Sequence, residues 1–74
     1  MSAGPIDVHI GGRIRQRRQE LGLSQAKIGR ACGVSWQQAS KFDYGANRIA
    51  ASQLWLIAQA LKVPIGYFFE GLEP

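Results

Sequence analysis

The sequence holds almost no cysteine or histidine: Cys32 and His9 are the single representatives of these types among 74 residues. One thiol cannot close a disulfide within the chain, and one Cys with one His cannot furnish a zinc site. No metal or other cofactor is expected, and a reducing cytoplasm is the expected compartment. Acidic residues are scarce too, five Asp plus Glu against nine Lys plus Arg, for a formal charge of +4. They stand singly along the chain, and no nucleophile, base and orienter set accompanies them, so an enzyme is not expected. Long hydrophobic runs are missing as well. The longest apolar stretch, LWLIAQAL, is broken by Gln59 and falls far short of the ~20 residues that span a bilayer. The opening MSAGPIDVHIGG lacks the basic region and apolar core of a secretory leader, so neither export nor membrane insertion is expected.

What is there suffices for one small packed domain, since 46% of the residues are hydrophobic and only 19% charged. Apolar residues recur at helical rather than alternating spacing, and Gly, Ser and Pro divide the chain into five short segments, which predicts an all-α bundle of five helices. Residues 1–9 are expected to form a flexible arm and residues 10–72 the domain. The first helix is placed from Ile10 to Leu21, with Ile10, Ile14 and Leu21 inward and Arg13, Arg15, Gln16, Arg17 and Gln19 on the wet side. Ser24 caps a second helix, Gln25 to Cys32, and Ser35 caps a third, Trp36 to about Tyr44. Leu54, Ile57, Ala58 and Leu61 form the inward stripe of a fourth, and Pro64 suits the first turn of a last helix ending near Glu70. The ending FFEGLEP reads as the start of a linker.

Two short helices joined at Gly33, with apolar residues at Ile28, Cys32, Val34, Ala39 and Phe42, make the pattern of a helix-turn-helix formed by the second and third helices. A glycine at the turn permits a left-handed backbone, and the apolar positions fix the third helix so that its outer face can enter a DNA major groove. Eight of the nine Lys and Arg residues precede residue 49, so the positive charge lies on this part of the chain.

The segments IGGRIRQRRQELGLSQ, GVSWQQASKFDYGANRI and LWLIAQALKVPIGYFF resemble the Cro/C1-type, or XRE-type, helix-turn-helix regulators of bacteria and phages, and in particular their short alphaproteobacterial members. The resemblance covers nearly the whole chain and implies a lambda-repressor-like bundle. Gly29 departs from the family's usual Ala, Ala39 from Ile or Val, and Asp43 from Glu. The glycine is expected to cost helix propensity of ~1 kcal/mol.

Family positions and side-chain chemistry together assign expected roles. Gln37, Gln38 and Lys41 face base edges, where Gln pairs with adenine and Lys reaches guanine. Gln38 has a competing role, closing a capping box with Ser35. Trp36 either meets a thymine methyl or sugar edge or folds back as an apolar plug. Gln25, at a helix N-terminus, binds phosphate, with Ser40, Asn47 and Arg48 beside it. Arg18 and Asp43 form an ion pair tying the first helix to the third, with an edge of Arg18 left for phosphate. Cys32 is a small core residue. Trp55, Tyr67 and Phe69 belong either to a buried C-terminal core or to a dimer surface. The implied function is sequence-specific binding of double-stranded DNA by a homodimeric cytoplasmic repressor on a pseudo-palindromic operator. The alternative is an antitoxin or adaptor whose main partner is another protein.

Overall fold

Pro5 opens the first helix, where a missing N–H costs nothing because the first turn has no intrahelical partner for it. In the computed structural model, which describes residues 4–73, this helix α1 runs Pro5–Glu20. It therefore starts five residues before the expected Ile10, and residues 5–9 of the expected arm are its opening turns. The reason is local: Asp7 Oδ2 accepts from the Gly4 N–H at 3.1 Å, and its charge sits at the positive end of the helix. Residues 1–3 of that arm lie outside the described residues.

Three further helices follow: α2 Gln25–Cys32, α3 Trp36–Asp43 and α4 Ala51–Leu61. Ser24 Oγ accepts from Lys27 N–H at 3.1 Å and Ser35 Oγ from Gln38 N–H at 3.2 Å, so both helices of the motif start on a serine cap. Between them Gly33 takes φ 78°, and the Val34 N–H returns to the Gly29 carbonyl at 2.8 Å. At the end of α4 the left-handed position is held by Lys62, φ 59°, the one described residue other than glycine with positive φ. Such a conformation costs on the order of 1 kcal/mol or more in a residue with a Cβ.

The fifth helix is corrected to a 3-10 segment, Ile65–Phe69. Its purpose in the packing is to deliver Phe68, fully buried, into the core, and five residues are too few for a stable α-helix. Pro64 precedes the segment and its carbonyl accepts from Tyr67 N–H at 3.0 Å. Ile14, Ile28, Phe42, Ile57, Leu61 and Phe68 are the largest fully enclosed side chains, drawn from every element. Cys32 belongs to the same core, its thiol donating to the Ile28 carbonyl at 3.3 Å and pushed up in pKa by burial.

The arginines of α1 are less free than their spacing suggests. Arg13 donates to the Tyr67 carbonyl at 2.9 Å and to Glu70 Oε1 at 2.8 Å, with its guanidinium 3.8 Å from the Tyr67 ring centre. Arg17 donates to the Leu61 carbonyl at 3.0 Å, capping the end of α4. Long side chains expected on the wet side thus fasten the C-terminal third to α1. Their polar heads satisfy main-chain carbonyls that no amphipathic pattern reveals.

Gly29 does not simply weaken α2. A Cβ there would stand 2.6 Å from the Val34 carbonyl oxygen and 3.0 Å from that of Ser35, so glycine lets the turn fold back against the helix. Gly11 is tighter still: a Cβ would collide with the Phe42 carbonyl and lie 2.9 Å from Gly45 N, because α1 meets the end of α3 main chain to main chain. Neighbouring Gly12 has nothing within 4 Å of its Cβ position. Adjacent substitutions should consequently have opposite signs. Gly11→Ala is expected to lower stability by about 1–3 kcal/mol through overpacking, whereas Gly12→Ala should raise it by about 0.5–1 kcal/mol. Thermal unfolding of the two variants beside the parent protein checks this; an unchanged or raised midpoint for Gly11→Ala contradicts the close contact.

Candidate nucleic-acid interface

Helix α3 divides cleanly by burial. Ala39, Phe42 and Asp43 face inward, while Trp36, Gln37, Lys41 and Tyr44 are exposed and Ser40 lies between them. Residues 36, 40 and 44 and residues 37, 41 and 44 follow helical spacing, so the outer residues form one continuous stripe. Trp36 is 57% exposed, which is not the packing of an apolar plug. Gln38 is half-buried; its main-chain N–H meets Ser35 Oγ, but its amide makes no return bond among the described residues.

Behind the stripe one carboxylate gathers three helices. Asp43 is 2% exposed, and its Oδ2 accepts from Arg18 Nη2 at 2.6 Å and from Gln25 Nε2 at 3.2 Å. Arg18 Nη1 donates in turn to the Leu23 carbonyl at 2.9 Å, in the connection between α1 and α2. Arg18 Nε is buried without a partner among the described residues. The charge of Asp43 is thus compensated by a guanidinium on α1 and an amide on α2, which tolerates its burial at the end of α3. Gln25 was expected to offer its amide to phosphate, and one of its N–H groups is here engaged with Asp43. The amide's second N–H and the free main-chain N–H groups at the start of α2 remain as donors.

Asn47, half-buried, and Arg48, exposed, lie in the loop after α3, on the side where the helix ends. Sequence reasoning missed Tyr44, 65% exposed with the Arg15 guanidinium 5.9 Å from its ring centre. The i, i+4, i+7 spacing of Gln37, Lys41 and Tyr44 carried that signal; the Arg15 contact, across 29 positions, did not.

The expected C-terminal aromatic set is split. Trp55 on α4 is 55% exposed and Phe69 is 42% exposed, whereas Tyr67 is half-buried beneath Arg13 and edge-on to Phe68. Among the described residues no group of three His, Cys, Asp or Glu could hold a metal ion, and no helix is long and apolar enough to cross a membrane.

Residues 14–68 match the protein family described as helix-turn-helix. An HTH-type transcriptional regulator of Sinorhizobium medicae is 52% identical over 89% of this chain and 48% of its own length. A transcriptional regulator in the ATPase CF(0) region of Rhodospirillum rubrum is 54% identical over 92% of this chain and 63% of its own. The chain thus spans about half to two thirds of these relatives. Among solved structures, the P22 c2 repressor in complex with a synthetic operator superposes with a TM-score of 0.76 at 30% identity, over 85% of this chain and 96% of that one.

If Asp43 holds the three helices in register, removing it strands the buried Arg18. Asp43→Ala is expected to cost about 3 kcal/mol, and the double variant Arg18→Met, Asp43→Leu less than the single one, since no unpaired charge stays inside. Urea unfolding of both checks the order; a single variant as stable as the parent removes Asp43 from this role.

Proposed function

The chain belongs to the Cro/C1-type helix-turn-helix family, and from that membership we propose that it is the DNA-binding domain of a transcriptional regulator, a repressor acting as a two-fold dimer on a pseudo-palindromic operator. The observation that carries this reading is the exposed stripe of α3, whose polar groups make no internal hydrogen bonds among the described residues while the helix beneath them is fixed by Asp43. Such a helix presents donors and acceptors to base edges in the major groove.

In this reading Gln37, Gln38 and Lys41 read bases, and Trp36 packs on a thymine methyl or sugar edge. Ser40, Asn47 and Arg48 contact phosphates and set the register, together with the N-terminus of α2 at Gln25 and an edge of Arg18. Trp55 and Phe69 supply the dimer surface with the margin of Tyr67, since exposed aromatic side chains of this size are the usual material of an interface core. Two subunits place two reading helices about one helical turn of DNA apart, and occupancy of the operator excludes other proteins. The protein acts in the cytoplasm on nucleoid DNA.

Fluorescence anisotropy against a selected duplex and a scrambled control, at two salt concentrations, tests the proposal. The expected result is a preference of about 10³ or more for the selected duplex and affinity that falls steeply with salt. Gln37→Ala and Lys41→Ala should each lose about 1–3 kcal/mol on the selected duplex and little on the control. Salt-dependent binding at ~10⁻⁴ to 10⁻⁶ M without preference, alongside a stoichiometric protein partner, would overturn the regulator reading in favour of an adaptor.

A further inference from the structure

Leu21, Leu23, Leu56 and Ala60 line an open groove of about 770 Å³ between α2 and α4 that DNA reading leaves unused. Leu21 and Leu56 are 37% and 40% exposed, so part of their apolar surface has no cover. The charged groups at the groove all have one sign. Lys27 and Arg30 stand one turn apart on α2, Lys62 stands just beyond α4, and no carboxylate lines the space between. None of the three cations has an ion-pair partner among the described residues. Lys62, moreover, keeps a left-handed backbone that glycine would adopt without strain, so the charge is placed there against a local conformational cost. No residue of α3 or of the loop after it lines the groove, which leaves the reading stripe open when the groove is filled.

We propose that this groove docks an acidic amphipathic helix of a partner protein, its apolar stripe on the leucines and its carboxylates against the two basic rims. Helix-in-groove docking needs an apolar floor with side-chain spacing of one turn, and charge at the rims sets orientation and partner choice. Cations on both sides suit a ligand with several carboxylates rather than an amphiphile with a single anionic head. A second copy of this chain is a poor occupant, because Asp43 is buried, Asp7 caps α1, and Glu20 and Glu70 are already paired, which leaves Glu73 as the single carboxylate without a partner among the described residues, too few for two basic rims.

The probe is a fluorescein-labelled peptide of about 14 residues, roughly 21 Å as a helix, with Leu at i, i+3, i+4 and i+7 and Glu on the remaining face. A scrambled peptide of identical composition is the control, because it carries the same charge without the stripe. The ordered peptide should bind the full chain at least about tenfold more tightly than the scrambled one. Lys27→Ser with Arg30→Ser should weaken binding of the ordered peptide at least about tenfold, and separately Leu56→Ser should remove its preference over the scrambled one, while far-UV circular dichroism stays unchanged; all three positions are exposed. Amide chemical-shift changes should map to α2 and α4. Equal binding of the two peptides, or shifts confined to α3, overturns the proposal. So does binding of dodecanoate at the groove in place of the peptide, or a change in the sedimentation of the unliganded protein on Leu56→Ser, which would make the groove an interface between copies.

Discussion

A negative charge at the C-terminal end of a short helix is electrostatically misplaced, since that end already carries the negative pole of the helix. Asp43 occupies such a position and is buried as well. The rest of the molecule is arranged so that this can stand. Arg18 reaches it from α1, Gln25 reaches it from α2, and Arg18 also holds the connection between those two helices through the Leu23 carbonyl. The arrangement is specific in a way that apolar packing is not, because a carboxylate with two fitted donors has few alternative registers. Where α3 points is therefore decided on its inner side.

A second set of polar contacts does comparable work at the far end. Arg13 and Arg17 take main-chain carbonyls of the 3-10 segment and of α4, and His9 Nε2 lies 2.7 Å from the Glu70 carbonyl oxygen. Helix α1 thus acts as a spine with contacts to α3, α4 and the C-terminal segment, and much of its positive charge is used inside the domain. The net basic character of the sequence overstates how many cations remain for DNA. Six cations have no ion-pair partner among the described residues, and of these Lys27, Arg30 and Lys62 line the α2–α4 groove, which leaves Arg15, Lys41 and Arg48 on the side of α3.

Much of this could be read from residue order alone. The serine caps, the turn glycine and the inward stripe of α4 are local signals, each with its own stereochemical cause, and they placed α2, α3 and α4 correctly. Less was readable where the deciding contact is distant. The start of α1 depends on Asp7 and Pro5 in a stretch with little apolar periodicity, and the 3-10 form of the last segment depends on Phe68 having a core to enter. Gln25 looks like a free helix-terminal amide until Asp43 is brought beside it from eighteen residues away. The uncovered leucines of the α2–α4 groove were equally invisible: Leu21, expected inward, lies 37% exposed where α1 ends, and the helical stripes single out neither Leu23 nor Leu56.

The separation of α3 into an inner face that fixes position and an outer face that makes no internal bonds has a bearing on how such a protein changes over time. Exchanging Trp36, Gln37, Ser40, Lys41 or Tyr44 alters what is presented to a binding partner without touching the core or the Asp43 anchor. In the proposed reading, stability and specificity therefore draw on different residues of α3 and its C-cap Tyr44. Duplicated copies can diverge in target while sharing a scaffold, and new preferences can be sampled without first acquiring compensating mutations in the interior.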